Sequence, residues 1–328
     1  MRSPNLSIVI VNYKTPELIL RLLDSLQIWV KSISYEVIVV NNASKGDDEQ
    51  LIRLAHPAVK WFETGYNAGF GRANNLGMRH ATGEMILLLN SDTYAIDDSI
   101  DRCFHKLRSE PQTIAAGAMQ LMPDGSPRAF YHTFTFQRSF WILPPSMEPL
   151  LERWIPQRIY SDKEQVDYIA AAFLMVKKEG FDQTQGFDEE FFLYGEDTEW
   201  GFRLGQLGKL KVYRDVVIVH EEWGSKPERY ERANEFTHFN RFDPQIQLSN
   251  LVWIRKQYGA LRFFALMLHY WIWIPVFFGV RVLLNLKEGK LPWQNQKNQV
   301  RYAKMIGLFT RFFWRIILRV PTFYRLES

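Results

Sequence analysis

The segment Glu84–Thr93, EMILLLNSDT, decides how this chain folds. Its apolar run, Met85 to Leu89, passes directly into Asn90, Ser91 and Asp92. A short apolar run bounded by polar residues is the pattern of a strand covered on both faces, as in a parallel sheet flanked by helices. Asn, Ser and Asp alone could be a turn, because all three bond readily to nearby backbone. The neighbouring segments weigh against a turn alone. LSIVIVNY (6–13) and YEVIVVNN (35–42) are β-branched runs that also end in Asn. Between them Leu18, Leu22, Leu23 and Leu26 recur at helical spacing behind Pro16, which suits a helix start. VKWFETG (59–65) reads as a third strand, GRANNLGMRHA (71–81) as a helix and EMILLLN as a fourth strand. This alternation predicts an α/β fold with a mostly parallel sheet, whose ligands sit beyond the carboxyl ends of the strands. Asn12, Asn41, Asn42 and Asn90 to Asp92 would then line one edge.

The chain has 328 residues, 47% hydrophobic and 15% aromatic, enough to bury a sizeable core, which excludes wholesale disorder. Its one cysteine, Cys103, fits a reducing compartment. The opening MRSPNLSIVIVNYKTPE has too short an apolar run for a signal peptide or spanning helix and reads as the first strand. Charge is uneven. Residues 251–328 hold 13 Lys+Arg and 2 Asp+Glu, whereas residues 1–250 hold 27 and 34. Basic residues interleaved with Phe, Trp and Tyr call for an anionic partner or surface. The tail is too apolar for nucleic acid to be the leading expectation.

After Pro123 the rhythm changes, and 123–156 reads as a long functional loop or small subdomain. VDYIAAAFLMVKKEGF (166–181) is strand-like, and FDEEFFLYGEDTEWGFRLGQLG (187–208) places a helix after Gly195. Trp200, Leu204 and Leu207 would share one face of that helix, with Gly208 as its stop. KVYRDVVIVHEEWGS (211–225) closes with a strand that runs into His220.

The succession VIVVNNAS, GYNAGFGRANNLG, LLLNSDT, GFDEEFFLYGEDTEWGFRL and a later His resembles the family 2 glycosyltransferases, bacterial rhamnosyltransferases most of all. The resemblance spans roughly Leu6 to Ser225. It implies a GT-A core over residues 1–250, with 251–328 as a basic, aromatic helical tail that associates with membrane. Sugar transfer from a nucleotide donor requires a pocket for the base, neutralisation of the diphosphate and a base for the acceptor hydroxyl.

By this resemblance Asp92 is the metal carboxylate of a DXD-like motif, here reading N-S-D with Asn90 first. His220 is its companion toward a divalent cation, Mg²⁺ or Mn²⁺. Asn41 stands where the family has a base-contacting Asp; its amide oxygen could accept from the N3–H of uracil or thymine. Asn42, Asn90 and Ser91 join the donor site, as does Tyr13, which could stack on the base. Asn67, Gly69 and Asn74 border the donor at a glycine-rich turn into a helix, where backbone N–H groups can meet phosphate. The spacing departs from a dinucleotide fingerprint, because Asn74 occupies the third glycine's place. Glu196 and Asp197 map onto the family's ED motif, with Asp197 as general base and Glu196 orienting the acceptor. One base without a covalent nucleophile implies inversion. The segment from Trp223 to Arg229 could form a flap over the donor.

Residues 263–280 are 18 residues without formal charge, long enough to span a bilayer. Pro275, His269 and the aromatic density favour a bent or interfacial segment, and 301–325 reads as a basic amphipathic surface helix. The expectation is an inverting glycosyltransferase at the cytoplasmic face of the membrane, peripheral or monotopic. It would use a dTDP- or UDP-sugar, with rhamnose as the sugar, and a saccharide or polyprenyl-diphosphate-linked acceptor of cell-envelope polysaccharide. Two rivals are a nucleotidyltransferase, against which VNYKTPE lacks a Gly-rich basic loop, and a noncatalytic membrane-bound nucleotide-sugar-binding module, which Asn41 and Asn90 would suit.

Overall fold

The computed structural model describes residues 3–44, 46–128, 131–132, 140–141, 148–154, 159–221 and 244–326. The first four strands are β1 (Leu6–Asn12), β2 (Tyr35–Asn41), β3 (Lys60–Glu63) and β4 (Met85–Asn90). They are parallel in the spatial order β3-β2-β1-β4. The helices between them are α1 (Pro16–Trp29), α2 (Asp48–Ala55) and α3 (Gly69–Arg79). Pro16 opens α1, and Ile19, Leu22, Leu23 and Leu26 bury its inner face.

β4 lies inside the sheet, with β1 parallel on one side and an antiparallel strand on the other. Its apolar residues are buried, divided between the two cores. Leu87 and Leu89 pack with α1 on one face, and Ile86 and Leu88 pack with α3 on the other. A strand enclosed on both faces has no use for alternation, which is why this one reads as a continuous apolar run.

The chain continues through β5 (Thr93–Tyr94), α4 (Ser99–Ser109) and β6 (Thr113–Leu121). Short pieces follow: β7 (Pro127–Arg128), β8 (Tyr131–His132), α5 (Glu148–Trp154), β9 (Gln165–Val166) and β10 (Tyr168–Ile169). Then come β11 (Phe173–Lys177), α6 (Lys178–Thr184), α7 (Glu196–Leu204) and β12 (Lys209–His220). The single strand expected over 166–181 is thus two short strands, a turn, β11 and the start of α6. Ala170 to Ala172 turn the chain so that Phe173 N bonds to Ala170 O at 3.4 Å.

β11 is antiparallel to both β4 and β6, and β12 is parallel to β6. The strands β1, β2, β3, β4, β6 and β12 therefore all end at one edge. α7 ends at Leu204, with Gly205 as its C-cap where Gly208 was expected. Trp200 and Leu204 are buried, whereas Leu207 is 40% exposed and does not share their face.

The chain forms two compact units, one of residues 1–134 and 157–230, the other of 135–156 and 231–328. In the second unit α8 (Pro244–Lys287) and α9 (Lys297–Ile317) pack together. α8 is two helices end to end. The break is at Gly259 (φ 87°, ψ 175°), while the helix continues through Pro275, where a bend was expected.

Gly77 of α3 sits against the sheet: a Cβ there would lie 2.4 Å from Val9 Cγ1 and 3.1 Å from Val40 Cγ2. Gly77→Ala is expected to destabilise by about 1–3 kcal/mol, outweighing the ~1 kcal/mol helix-propensity gain. A lower urea midpoint at unchanged slope would show it, and an unchanged midpoint would contradict this close packing.

Candidate active site

The polar strand endings are cross-bonded. Asn12, fully buried, donates from Nδ2 to Asn41 Oδ1 at 3.1 Å and to Asp48 Oδ2 at 2.8 Å. Asn41 Oδ1 also accepts from Ser44 N at 3.2 Å, and its Nδ2 donates to the Glu63 carboxylate at 3.0 and 3.1 Å. Asn41 therefore spends its amide bracing three adjacent strands. The carboxylate that Asn41 meets belongs to Glu63, on the exposed end of β3, which also accepts from Trp61 Nε1 at 2.6 Å.

Asn42 Oδ1 accepts from Ala68 N at 2.8 Å, and its Nδ2 donates to Asn67 Oδ1 at 3.2 Å. Asn67 Oδ1 also takes Gly69 N at 3.1 Å, so both side chains shape the loop that leads into α3. Gly69 itself has φ 79° and lies against Phe192, whose carbonyl oxygen would be 2.2 Å from any Cβ. Only glycine tolerates both conditions. Asn74 is buried and donates to Phe70 O of its own helix at 3.0 Å, and Asn75 spans to Phe187 O at 2.9 Å. Tyr13 is half-buried with the Lys14 ammonium 5.4 Å from its ring centroid.

Past the end of β4, Thr93 pairs with His220, which brings Asp92 beside the end of β12. His220 Nε2 lies 3.2 Å from Asp92 Oδ1 and 3.5 Å from Asn90 Nδ2. Its Nδ1 donates to Gln120 Oε1 at 2.8 Å. That bond fixes the ring, so a neutral His220 presents the lone pair of Nε2 alongside the Asp92 carboxylate. Adjacent ligands of an octahedral ion with bonds near 2.1 Å stand roughly 3 Å apart, so this pair fits two positions of a divalent cation. Among the described residues no group of three or more His, Cys, Asp or Glu converges. Substrate oxygens and water would complete the shell, as is usual for Mg²⁺.

Glu196 and Asp197 open α7 behind Gly195, which caps the helix at φ 84°. The helix is held by Trp200, whose Nε1 donates to Thr184 Oγ1 at 2.7 Å, and by Arg203, which donates to the carbonyls of Thr184 and Gly186 at 2.6 Å each. Burial raises the Glu196 carboxyl to about 8, assisted by the adjacent Asp197 charge, and Glu196 Oε2 has no partner among the described residues. Burial also raises Asp197, opposed by hydrogen bonds from Thr198 and the Ala171 backbone. Neighbouring Ala172 O accepts from Asn90 N at 3.2 Å. The carboxyl pair and the Asp92–His220 pair are thus linked through two consecutive residues at one sheet edge. The pair can hold one proton and accept another, as a base for a hydroxyl must.

The model for "Glycosyl transferase family 2" matches residues 7–183, more than half of the chain. The chain belongs to glycosyl transferase family 2. It is a glycosyltransferase with a GT-A type core. The N-acetylglucosaminyl-diphospho-decaprenol L-rhamnosyltransferase of Mycobacterium tuberculosis (strain CDC 1551 / Oshkosh) is 28% identical over 235 residues, 66% of this chain and 76% of that protein. Rhamnosyltransferase WbbL of Escherichia coli (strain K12) is 28% identical over 214 residues, covering 61% and 77%. Among solved structures, mannosyltransferase PcManGT from Pyrobaculum calidifontis, in complex with GDP-Man and Mn²⁺, covers 98% of this chain and 89% of its own at TM-score 0.52 and 15% identity. That likeness is one of fold.

Gln120 and Glu63 were not singled out from sequence, although each is a polar residue at a strand end, the same signal that marked Asn41 and Asn90. The Trp223–Arg229 flap lies outside the described residues.

Glu196 predicts a pH dependence of stability. Its folded pKa, about 8, exceeds the ordinary 4.5, so its contribution is full below pH 4.5 and is lost as pH rises toward 8. Glu196→Gln cannot ionise there, and its Tm between pH 5 and 8 should be flatter than that of the unmodified protein. Parallel profiles would mean that Glu196 titrates as an ordinary carboxylate.

Proposed function

We propose that this enzyme transfers rhamnose, with inversion, from a pyrimidine nucleotide-diphosphate donor such as dTDP-rhamnose to a polyprenyl-diphosphate-linked saccharide of cell-envelope polysaccharide. The observation that carries the catalytic assignment is the Glu196–Asp197 pair, Glu196 buried and Asp197 partly buried, linked through Ala171 and Ala172 to the strand end beside Asp92 and His220. That the mycobacterial and E. coli relatives are rhamnosyltransferases supports the sugar, and the diphospho-decaprenol acceptor of the former supports the lipid-linked acceptor.

In this reading the acceptor hydroxyl oxygen attacks the anomeric carbon opposite the diphosphate. Asp197 takes the hydroxyl proton as the new C–O bond forms. The bond from the anomeric carbon to the diphosphate oxygen breaks, and its electron pair leaves with the nucleotide. Glu196, protonated at neutral pH, orients the acceptor by donating a hydrogen bond. Asp92 and His220 are the residues that would hold a divalent cation, which when bound would offset charge on the leaving diphosphate. Tyr13, Asn90 and Ser91 contact the donor, while Asn41, Asn42, Asn67, Gly69 and Asn74 set the shape of its pocket. Residues 1–250 carry this chemistry, and 251–328 hold the enzyme at the cytoplasmic face, where nucleotide sugars meet lipid-linked acceptors. α8, long and apolar enough to cross a membrane, supports that association.

Two measurements test the reading. Titration calorimetry with UDP-, dTDP- and GDP-sugars, with and without Mn²⁺, should show one pyrimidine donor whose binding the metal strengthens. Metal-independent binding of all donors, or of none, would overturn the donor assignment. Asp197→Asn should lower turnover by at least about 100-fold with donor affinity unchanged, whereas full turnover would remove Asp197 as the base.

A further inference from the structure

We infer that the hairpin of α9 and the part of α8 beyond Gly259 lies in the plane of a membrane leaflet rich in anionic lipid and does not cross the bilayer. This rests on the reading of the tail as membrane-associating, and names its orientation and the lipid it recognises. The first observation concerns axial level. Residues 263–280 carry no formal charge and are long enough to span. α9 packs lengthwise against them: Tyr302 Oη donates to Tyr270 O at 3.0 Å, and Trp271 Nε1 donates to Thr310 Oγ1 at 2.9 Å. The Phe263 and Phe313 rings stack at 5.6 Å, and Phe277 meets Tyr302 at 5.0 Å. Lys304 and Arg311, both exposed, therefore lie beside the uncharged run, as Arg301 does next to Tyr302. A perpendicular α8 would carry these cations through hydrocarbon, at a cost of roughly a hundredfold each in the insertion equilibrium. In the plane of the interface they remain among headgroups.

The second observation is what the two helices leave uncovered. On α8, Leu261, Phe264, Leu268, Ile272, Val276 and Val280 are all exposed at three- or four-residue spacing. On α9, Tyr302, Met305, Ile306, Phe309, Phe313 and Ile316 are buried, while Lys297, Arg301, Lys304, Arg311 and Arg315, and Arg319 just beyond its end, are exposed. Lys297, Arg301 and Lys304 line one open concavity with Asn298 and Val300. Within 251–328 the acids are Glu288, which pairs with Lys290 at 2.7 Å, and Glu327. Among the described residues none of the six cations is ion-paired. Trp293 and Trp314, each 69% exposed, are side chains that favour the headgroup boundary. An apolar stripe on one helix and an unpaired cationic stripe on its neighbour match acyl chains and lipid phosphates together. A nucleic acid would satisfy only the second.

Cosedimentation of the full-length protein with vesicles tests this without relying on transfer activity. Vesicles containing about a third phosphatidylglycerol in phosphatidylcholine should bind at least about tenfold more tightly than phosphatidylcholine alone. The triple variant Lys304→Gln, Arg311→Gln, Arg315→Gln should lose that difference. Leu268→Gln with Ile272→Gln should weaken binding to both vesicles. These positions are exposed or partly exposed, and an unchanged thermal melt will show that each variant folds. In membrane vesicles of either sidedness, an impermeant maleimide should label Lys290→Cys from the same side as Ser109→Cys. Equal binding to both lipids would overturn the anionic assignment, and labelling from opposite faces would overturn the in-plane orientation. Tighter binding to single-stranded RNA than to the anionic vesicles would make nucleic acid the partner. Failure to bind either vesicle would reject the membrane reading of the tail while leaving the catalytic assignment standing.

Discussion

The burial of β4 on both faces is the constraint on which the rest of this structure depends. Parallel pairing to β1 and antiparallel pairing to β11 satisfy its backbone, and helices cover both of its faces. Such a strand can carry polar side chains only where it leaves the sheet. Because β1, β2, β3, β6 and β12 end at the same edge, their polar endings are collected there as well. The position of Asp92 beside His220 is thus a consequence of sheet topology, 128 residues of chain apart but joined through the Thr93–His220 register.

The edge divides its labour. Asn12, Asn41 and Asn42 spend their amides on one another, on Asp48, on Glu63 and on the loop into α3. These bonds stiffen the floor of the site, as buried polar groups must be paired or else destabilise the fold. Asp92, His220, Glu196 and Asp197 are of another kind. They are ionisable groups in or beside buried positions, with His220 oriented by Gln120 and Glu196 pushed upward by burial. A fold that keeps such groups close is suited to moving a proton and balancing a diphosphate.

The tail follows different physics. Its two helices share an aromatic core, yet each leaves a coherent stripe uncovered, apolar on α8 and cationic on α9. A water-facing surface has no need of the first, and a bilayer-spanning helix cannot tolerate the second alongside it. On the reading proposed above, a position at the membrane surface would bring a water-borne donor and a lipid-borne acceptor to the same enzyme.

The α/β class, the parallel opening strands and the strand-end position of Asp92 were legible in the sequence, because β-branched runs, helical leucine spacing and polar run endings are local signals. So was the GT-A resemblance, carried by ordered motifs. Weak local signals mislead: 166–181 reads as one strand but folds as several elements, Gly208 reads as the helix stop where Gly205 is the cap, and Pro275 suggests the break that belongs to Gly259. Only the tertiary structure decided that Asn41 faces Glu63 and braces the sheet, that Gln120 sets the His220 ring, and that Arg301, Lys304 and Arg311 run beside the uncharged stretch of α8. The reason is physical. A residue's type and its periodicity record which environment it prefers, but its hydrogen-bond partner and the side chains at its own level come from distant parts of the chain, and packing alone brings those together.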